Sequence, residues 1–265
     1  MIRGLCLHYL NSDLEKKLLE SGAEWIRSDI GTSAWDEIYR FAKSNGIKLI
    51  GILDYNIVGD NFTLDDWKTA VENAVKKYDC EAYEIWNEPF ADYSKKGYQD
   101  GSWQHYVKLV NTASGIIRMI RPTSKIIGGG GIYDGEEKWA ENVIPYISSA
   151  VDLISLHIYW NIPSWLSWLY KYFYGWYVKN EIEKFSRIIN KQLIVTESGL
   201  PFTQCEWMSA VDSIRETVIW YEFQDGDGQF GILDKNGGKK DSFKCFADIM
   251  SKNKVATDNW MRRVR

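Results

Sequence analysis

Trp25-Ile26-Arg27-Ser28-Asp29 is a short apolar run, Trp35 to Asn45 an amphipathic segment, and Lys48-Leu49-Ile50-Gly51-Ile52-Leu53-Asp54 a second apolar run. Short runs rich in β-branched and aromatic side chains suit buried strands, and apolar residues three and four apart suit one face of a helix. Strand, helix, strand in that order is the crossover that joins parallel strands with a right-handed turn. The same alternation fills the rest of the chain. Strands are expected at Gly4 to His8, Ala82 to Asn87, Lys125 to Gly128, Leu153 to Tyr159, Leu193 to Glu197 and Val218 to Phe223. Helices are expected at Asp13 to Ser21, Leu64 to Lys77, Gln104 to Ile120, Glu136 to Ile147, Tyr177 to Asn190, Glu206 to Glu216 and Ser242 to Ser251. Several open on Asp, Ser or Thr, whose side chains satisfy the first free amides of a helix. Eight βα units, with no linker or longer repeat between them, predict an α/β fold with one domain over residues 1–265, a (β/α)8 TIM barrel. A doubly wound open sheet usually has fewer strands and a phosphate-binding glycine fingerprint.

Bulk properties narrow the partners. At 265 residues and 45% hydrophobic, the chain can bury a full-sized core. A net charge of -4 without a basic run argues against a nucleic-acid partner. Trp165 to Val178 is aromatic but too short to span a bilayer, so no membrane partner is expected. The N-terminus lacks a secretory pattern, which gives a cytoplasmic expectation, with secretion by another route left open. Cys6, Cys80, Cys205 and Cys245 are widely separated and few, and are expected to be reduced thiols. The 13 Trp are well above ordinary usage, and their rings suit both cores and sugar faces.

Several chemistries lack their residues. The three histidines, His8, His105 and His157, form no HxH or HExxH set, so no metal is expected, and no cofactor. Gly128-Gly129-Gly130-Gly131 fits neither a dinucleotide nor a P-loop pattern, and reads as a mobile loop after strand five. Asp225-Gly226-Asp227-Gly228 starts like a calcium loop, but Phe230 stands where the turn glycine belongs. No Gly-x-Ser-x-Gly elbow is present.

Catalytic groups of such barrels sit where strands end. Strand four ends Trp86-Asn87-Glu88-Pro89 and strand seven ends Thr196-Glu197-Ser198-Gly199, so two carboxyls meet at one mouth. An isolated Glu is usually a solvated surface charge. Two at corresponding strand ends point instead to paired carboxyl chemistry.

These two motifs resemble the acid/base and nucleophile motifs of the clan A glycoside hydrolase barrels. Gly22-Ala23-Glu24-Trp25-Ile26-Arg27-Ser28-Asp29 and Gly46 to Tyr55 resemble the clan's second and third strands. The likeness is nearest to glycoside hydrolase family 39 and its polysaccharide-cleaving bacterial relatives, with family 5 as competitor. The resemblance implies a retaining glycoside hydrolase that acts on a β-linked oligosaccharide or polysaccharide by double displacement. It implies Glu88 as acid/base, Glu197 as nucleophile, and Asn87 on the sugar 2-hydroxyl. Arg27 is the natural cation to keep Glu197 ionised. His157 and Tyr159 resemble the clan's His-x-Tyr strand end and share one strand face. In strand eight the register of the clan's sugar-platform Trp holds Tyr221. A transglycosylase on the same site and a catalytically silent carbohydrate-binding barrel are the alternatives. Sugar, linkage, endo or exo action, oligomeric state and the role of the aromatic stretch Trp165 to Trp176 are left open.

Overall fold

The computed structural model describes residues 2–91, 102–159, 171–201, 204–214, 217–226 and 228–263. Eight parallel strands close in chain order into a barrel, the last pairing back to the first. They are β1 Ile2–Cys6, β2 Trp25–Asp29, β3 Lys48–Leu53, β4 Ala82–Ile85, β5 Lys125–Ile132, β6 Leu153–Tyr159, β7 Leu193–Gly199 and β8 Thr217–Trp220. Helices Ser12–Ser21, Trp35–Asn45, Leu64–Lys77, Trp103–Ile120, Glu137–Ile147, Tyr174–Ile188, Gln204–Ile214 and Asp241–Arg263 surround it, with one extra turn at Tyr55–Val58. The fold is therefore the (β/α)8 barrel that the alternation predicts. Local chemistry starts the helices: Asn11 accepts from the amides of Asp13 and Leu14, and Thr63 and Asp66 form a reciprocal capping box. No described helix is long and apolar enough to cross a membrane.

Inside the barrel, one side chain from each strand forms an apolar plug: Cys6, Trp25, Ile50, Ala82, Ile127, Leu153, Ile194 and Ile219. Between strands and helices lies the larger core, which takes up Trp35, Trp67, Trp86, Trp207 and Trp220 as fully buried rings. Much of the tryptophan excess is thus packing.

Three expectations are corrected. Gly128–Gly131 belong to β5 and are buried, not a mobile loop. Their lack of a Cβ is used twice. A side chain at Gly130 would strike Pro89 and one at Gly131 would overlap the His157 ring, and both have left-handed φ values of 63° and 78°. Second, β8 stops at Trp220 rather than Phe223. Beyond it, Glu222 and Phe223 exchange backbone bonds with Phe230, Ile232 and Leu233 of the closing loop, and the Tyr221–Glu222 peptide is cis. Third, Cys205 and Cys245 form a disulfide with Cα atoms 5.6 Å apart, while Cys6 and Cys80 are buried thiols. The 40-residue separation concealed the contact because the last two long helices pack side by side.

The aromatic stretch is seen only in part. Trp165 to Tyr170 lie outside the described residues, Lys171–Phe173 form a 3-10 turn, and Tyr174 opens a helix with Trp176 on its exposed side. Asp227 of the discarded calcium pattern also lies outside them, as do Arg215 and Glu216 of the expected seventh helix.

Candidate active site

Strand alternation carries polar groups onto the plug. Trp25 is followed inward by Arg27, Ala82 by Glu84, and Leu153 by Ser155, His157 and Tyr159. Strict alternation would then aim Trp86 into the barrel and Glu197 out of it. Two local breaks reverse this. Trp86 has φ 67°, which swings its ring outward onto Tyr55, Phe62 and Trp67, and Glu88 follows with φ 44°. Left-handed backbone at a bulky residue costs of order 1–3 kcal/mol. Bonds from Trp86 N to Leu53 O at 2.8 Å and from Glu88 N to Gly130 O at 2.6 Å hold it in place. In β7 a register shift pairs His157 with Glu197 directly after Leu156 with Val195. The bulge turns both Thr196 and Glu197 inward.

Arg27 is the hub. Its Nε donates to Glu84 Oε2 at 2.5 Å, Nη1 to Glu197 Oε1 at 2.5 Å, and Nη2 to Asn87 Oδ1 at 2.8 Å. Thr196 Oγ1 donates to the other oxygen of Glu84 at 3.0 Å, and Tyr159 donates to Glu197 Oε2 at 2.6 Å. Burial by itself would raise the Glu197 carboxyl. The positive field of His157, when protonated, and of Arg27, with the donated bonds of Tyr159 and Arg27, outweighs it, so the carboxyl lies below its ordinary value and stays ionised. Burial opposes the Arg27 charge too, but the Glu84 and Glu197 carboxylates more than compensate and raise its pKa. Burial and then the Glu197 charge raise the Tyr159 phenol, which keeps it a donor.

Glu88 has a different environment. Its Oε1 is 2.7 Å from His157 Nδ1, which is 3.5 Å from Glu197 Oε2. His157 Nε2 is buried, has no hydrogen-bond partner and faces Gly131. A proton there would be an orphaned buried donor, which costs more than an unused lone pair. In the neutral ring the proton therefore sits on Nδ1, from which it is donated to Glu88.

Glu88, His157 and Glu197 each place one ligand-capable atom within 4.8 Å of the others. As a cation site the set is poor. Arg27 lies 2.5 Å from Glu197, and its permanent charge opposes a divalent ion.

Among the residues singled out in the sequence, Arg27, Asn87, Glu88, His157, Tyr159 and Glu197 converge in one cluster. Tyr221 stands at its edge, its ring 6.1 Å from Tyr159 and 5.8 Å from Phe230. Glu84, fully buried, belongs to the cluster without any motif to mark it; its place two residues after the plug residue Ala82 is the one signal that it faces inward. His8 and Glu222 lie 3.3 Å apart, a pairing that nothing in the sequence links.

The class defined by fold and site geometry is a (β/α)8 barrel with a paired carboxyl mouth. Neither a protein-family model nor a curated protein matches the sequence. Solved structures do match. A glucosidase from Croceicoccus marinus gives a TM-score of 0.70 at 14% identity, over 94% of this chain and 67% of its own. A glycoside hydrolase family 39 enzyme from Xanthomonas axonopodis pv. citri gives 0.69 at 14% identity, over 93% and 65%. A family 128 endo-β-1,3-glucanase from Sorangium cellulosum gives 0.68 at 13% identity, over 93% and 98%. The chain thus spans about two thirds of the first two and nearly all of the third. It shares the barrel fold of these glycoside hydrolases, family 39 among them, as the two motifs implied.

Proposed function

We propose that the chain is a retaining glycoside hydrolase for β-linked sugars, with Glu88 as acid/base and Glu197 as nucleophile. The observation that carries this reading is the approach of one oxygen from each carboxyl to within 4.8 Å. Retaining enzymes hold their carboxyls about 5 to 5.5 Å apart, whereas inverting ones leave about 6.5 to 9.5 Å for a water molecule. The glycosidase fold shared with the solved structures supports the same reading.

In the first step a Glu197 oxygen attacks the anomeric carbon while Glu88 gives its proton to the departing glycosidic oxygen. A glycosyl ester forms and the C–O bond to the aglycone breaks. In the second step Glu88, now a carboxylate accepting from His157, takes a proton from water. The water oxygen bonds to the anomeric carbon, and Glu197 leaves as carboxylate. Arg27 and Tyr159 hold the attacking group, and Asn87, fixed by Arg27, meets the sugar 2-hydroxyl.

The test is a panel of aryl β-glycosides and β-glucans assayed with wild type, Glu88→Gln and Glu197→Gln. Glu88→Gln should keep its first step on activated leaving groups and lose it on poor ones, and Glu197→Gln should lose both. Proton NMR of the first-formed product should show the β anomer. An α anomer would sink the retaining mechanism, and a folded wild type without turnover would leave the silent sugar-binding barrel. Product analysis at high acceptor concentration separates hydrolysis from transglycosylation. The disulfide fits an oxidising compartment better than the cytoplasm, and thiol titration of protein isolated without reductant tests that setting.

A further inference from the structure

A cavity of about 470 Å³ lies where the helices that follow β7 and β8 begin, Gln204–Ile214 and Asp241–Arg263. No member of the catalytic cluster lines it, and the Cys205–Cys245 disulfide ties the two helices together beside it. A water molecule takes up about 30 Å³, so there is room for something many times larger. Two polar atoms of the lining are orphaned. Gln204 is 6% exposed and Ser242 5%, and among the described residues Gln204 Oε1 and Ser242 Oγ have no hydrogen-bond partner. The other end of the Gln204 side chain fixes its orientation, because Phe230 O can only accept and so takes the amide nitrogen. Oε1 is thus an acceptor without a donor, and a buried polar atom in that condition destabilises a fold until something meets it.

The chemistry of the lining selects the ligand. Barrels often hold phosphate by the loops after strands seven and eight, at a helix N-terminus. Here the one cation among the lining residues is already committed: Lys240 donates to both Asp225 oxygens at 3.0 and 3.2 Å and to Gln229 O at 2.9 Å. Glu206 and Asp241 add two exposed carboxylates, and Gln204 Oε1 would face an oxyanion with a lone pair. A metal ion fits no better, since the first turns of two helices present amide N–H groups and the positive ends of their dipoles. An acceptor, a hydroxyl and helix-start amides are met together by groups that both donate and accept, as adjacent hydroxyls on a neutral sugar do. We propose that this cavity is a second sugar-binding site, separate from the catalytic mouth, where Gln204 Oε1 accepts from one hydroxyl of a neutral sugar and Ser242 Oγ bonds its neighbour. The site backs onto the closing loop. Gln204 holds Phe230, whose ring is 5.7 Å from Tyr159 and 5.8 Å from Tyr221, so a bound sugar braces that loop from behind.

Hydrogen-exchange mass spectrometry on folded Glu197→Gln protein, in which an oligosaccharide should stay intact, reads the site segment by segment. The probes are glucose and a β-1,3-glucan pentasaccharide, with inorganic phosphate and calcium as controls. At a few times its Kd a sugar should slow exchange in residues 204–208 and 241–245 by about threefold or more. Slowing by glucose marks a free sugar as the occupant, and slowing by the pentasaccharide alone marks one unit of a longer chain. Adding Ser242→Ala should weaken this binding by about threefold to tenfold, the net loss of one hydrogen bond, and leave any slowing at 84–88 in place. The same substitution removes an unmet hydroxyl, so Tm without sugar should hold or rise, which separates lost binding from lost folding. No slowing at 204–208 and 241–245 with either sugar would overturn the proposal, whatever happens at the mouth. So would slowing by phosphate or calcium in place of sugar, or sugar-induced slowing that Ser242→Ala leaves unchanged. Slowing at these two segments in a wild type without turnover would retire the hydrolase reading and keep the site. Turnover without it would do the reverse.

Discussion

The mouth of the barrel has two unlike halves, each built around a histidine and a glutamate. On the β4 to β7 side the His157 side chain is fully buried, and Glu197 is clamped by Arg27 and Tyr159. On the β8 and β1 side the His8 side chain is 49% exposed, and among the described residues Glu222 meets His8 and the Gly226 amide. The same residue types serve different ends because their supports differ. A fixed cation and a phenol hold the Glu197 carboxylate ionised and aimed, the preorganisation that the proposed nucleophile needs before substrate arrives. On the other side the Glu222 carboxylate pushes the His8 imidazole toward its charged form, so that pair compensates itself without a permanent cation.

Removing the proposed nucleophile should separate the halves most sharply. Glu197→Gln is expected to lower kcat by about 10⁴-fold or more while sugar binding persists. A loss under tenfold in steady-state assays would mean that the clamped half is not the chemical one. Arg27→Leu follows. Two buried carboxylates lose their cation, and denaturant titration should show a loss of about 3–5 kcal/mol. Adding Glu84→Gln should restore part of that stability and none of the activity. If Arg27→Leu costs under about 1 kcal/mol, the hub does not hold this half together.

Cys245→Ser addresses the other half. Its bridge to Cys205 fastens the helix start beside the closing loop, where Cys205 Sγ also meets Asp241 O. Loss of a 40-residue closure should cost about 2–4 kcal/mol, read as a lower Tm, with kcat on simple aryl glycosides unchanged. An equal fall in kcat would show the two halves to be coupled. The smallest effect is one of pH. Glu197 has a lowered folded pKa, so its share of stability, and its activity, are present above the unfolded value of about 4.3 and vanish as pH falls through the folded one. Tyr159→Phe removes a stabilising donor, so the acid limb of kcat/KM should move to higher pH. A limb that stays in place would detach Tyr159 from the nucleophile.

Legibility differed between the halves for a physical reason. Glu88 just past β4 and Glu197 near the end of β7 stand in local motifs, so strand pattern and neighbouring residues suffice to single them out. Glu222 lies past the end of β8, where backbone bonds to Phe230 and Ile232 replace strand pairing, and its partner His8 is 214 positions away by numbering. For the same reason β8 ends three residues short of the Phe223 that its apolar pattern predicts. The Gly128–Gly131 run is ambiguous in sequence because glycine marks loops and close approaches alike, and only the neighbours, Pro89 and His157, reveal which.

By itself the sequence determined the barrel, because burying apolar runs of period two against helices of period 3.6, eight times over, leaves little choice of closure. It also singled out two glutamates, Glu88 just past the end of β4 and Glu197 near the end of β7. The tertiary structure decided where those side chains point. A left-handed turn at Trp86 and a bulge in β7 each break the alternation, and such breaks are held only by contacts from distant strands, here Leu53, Gly130 and His157.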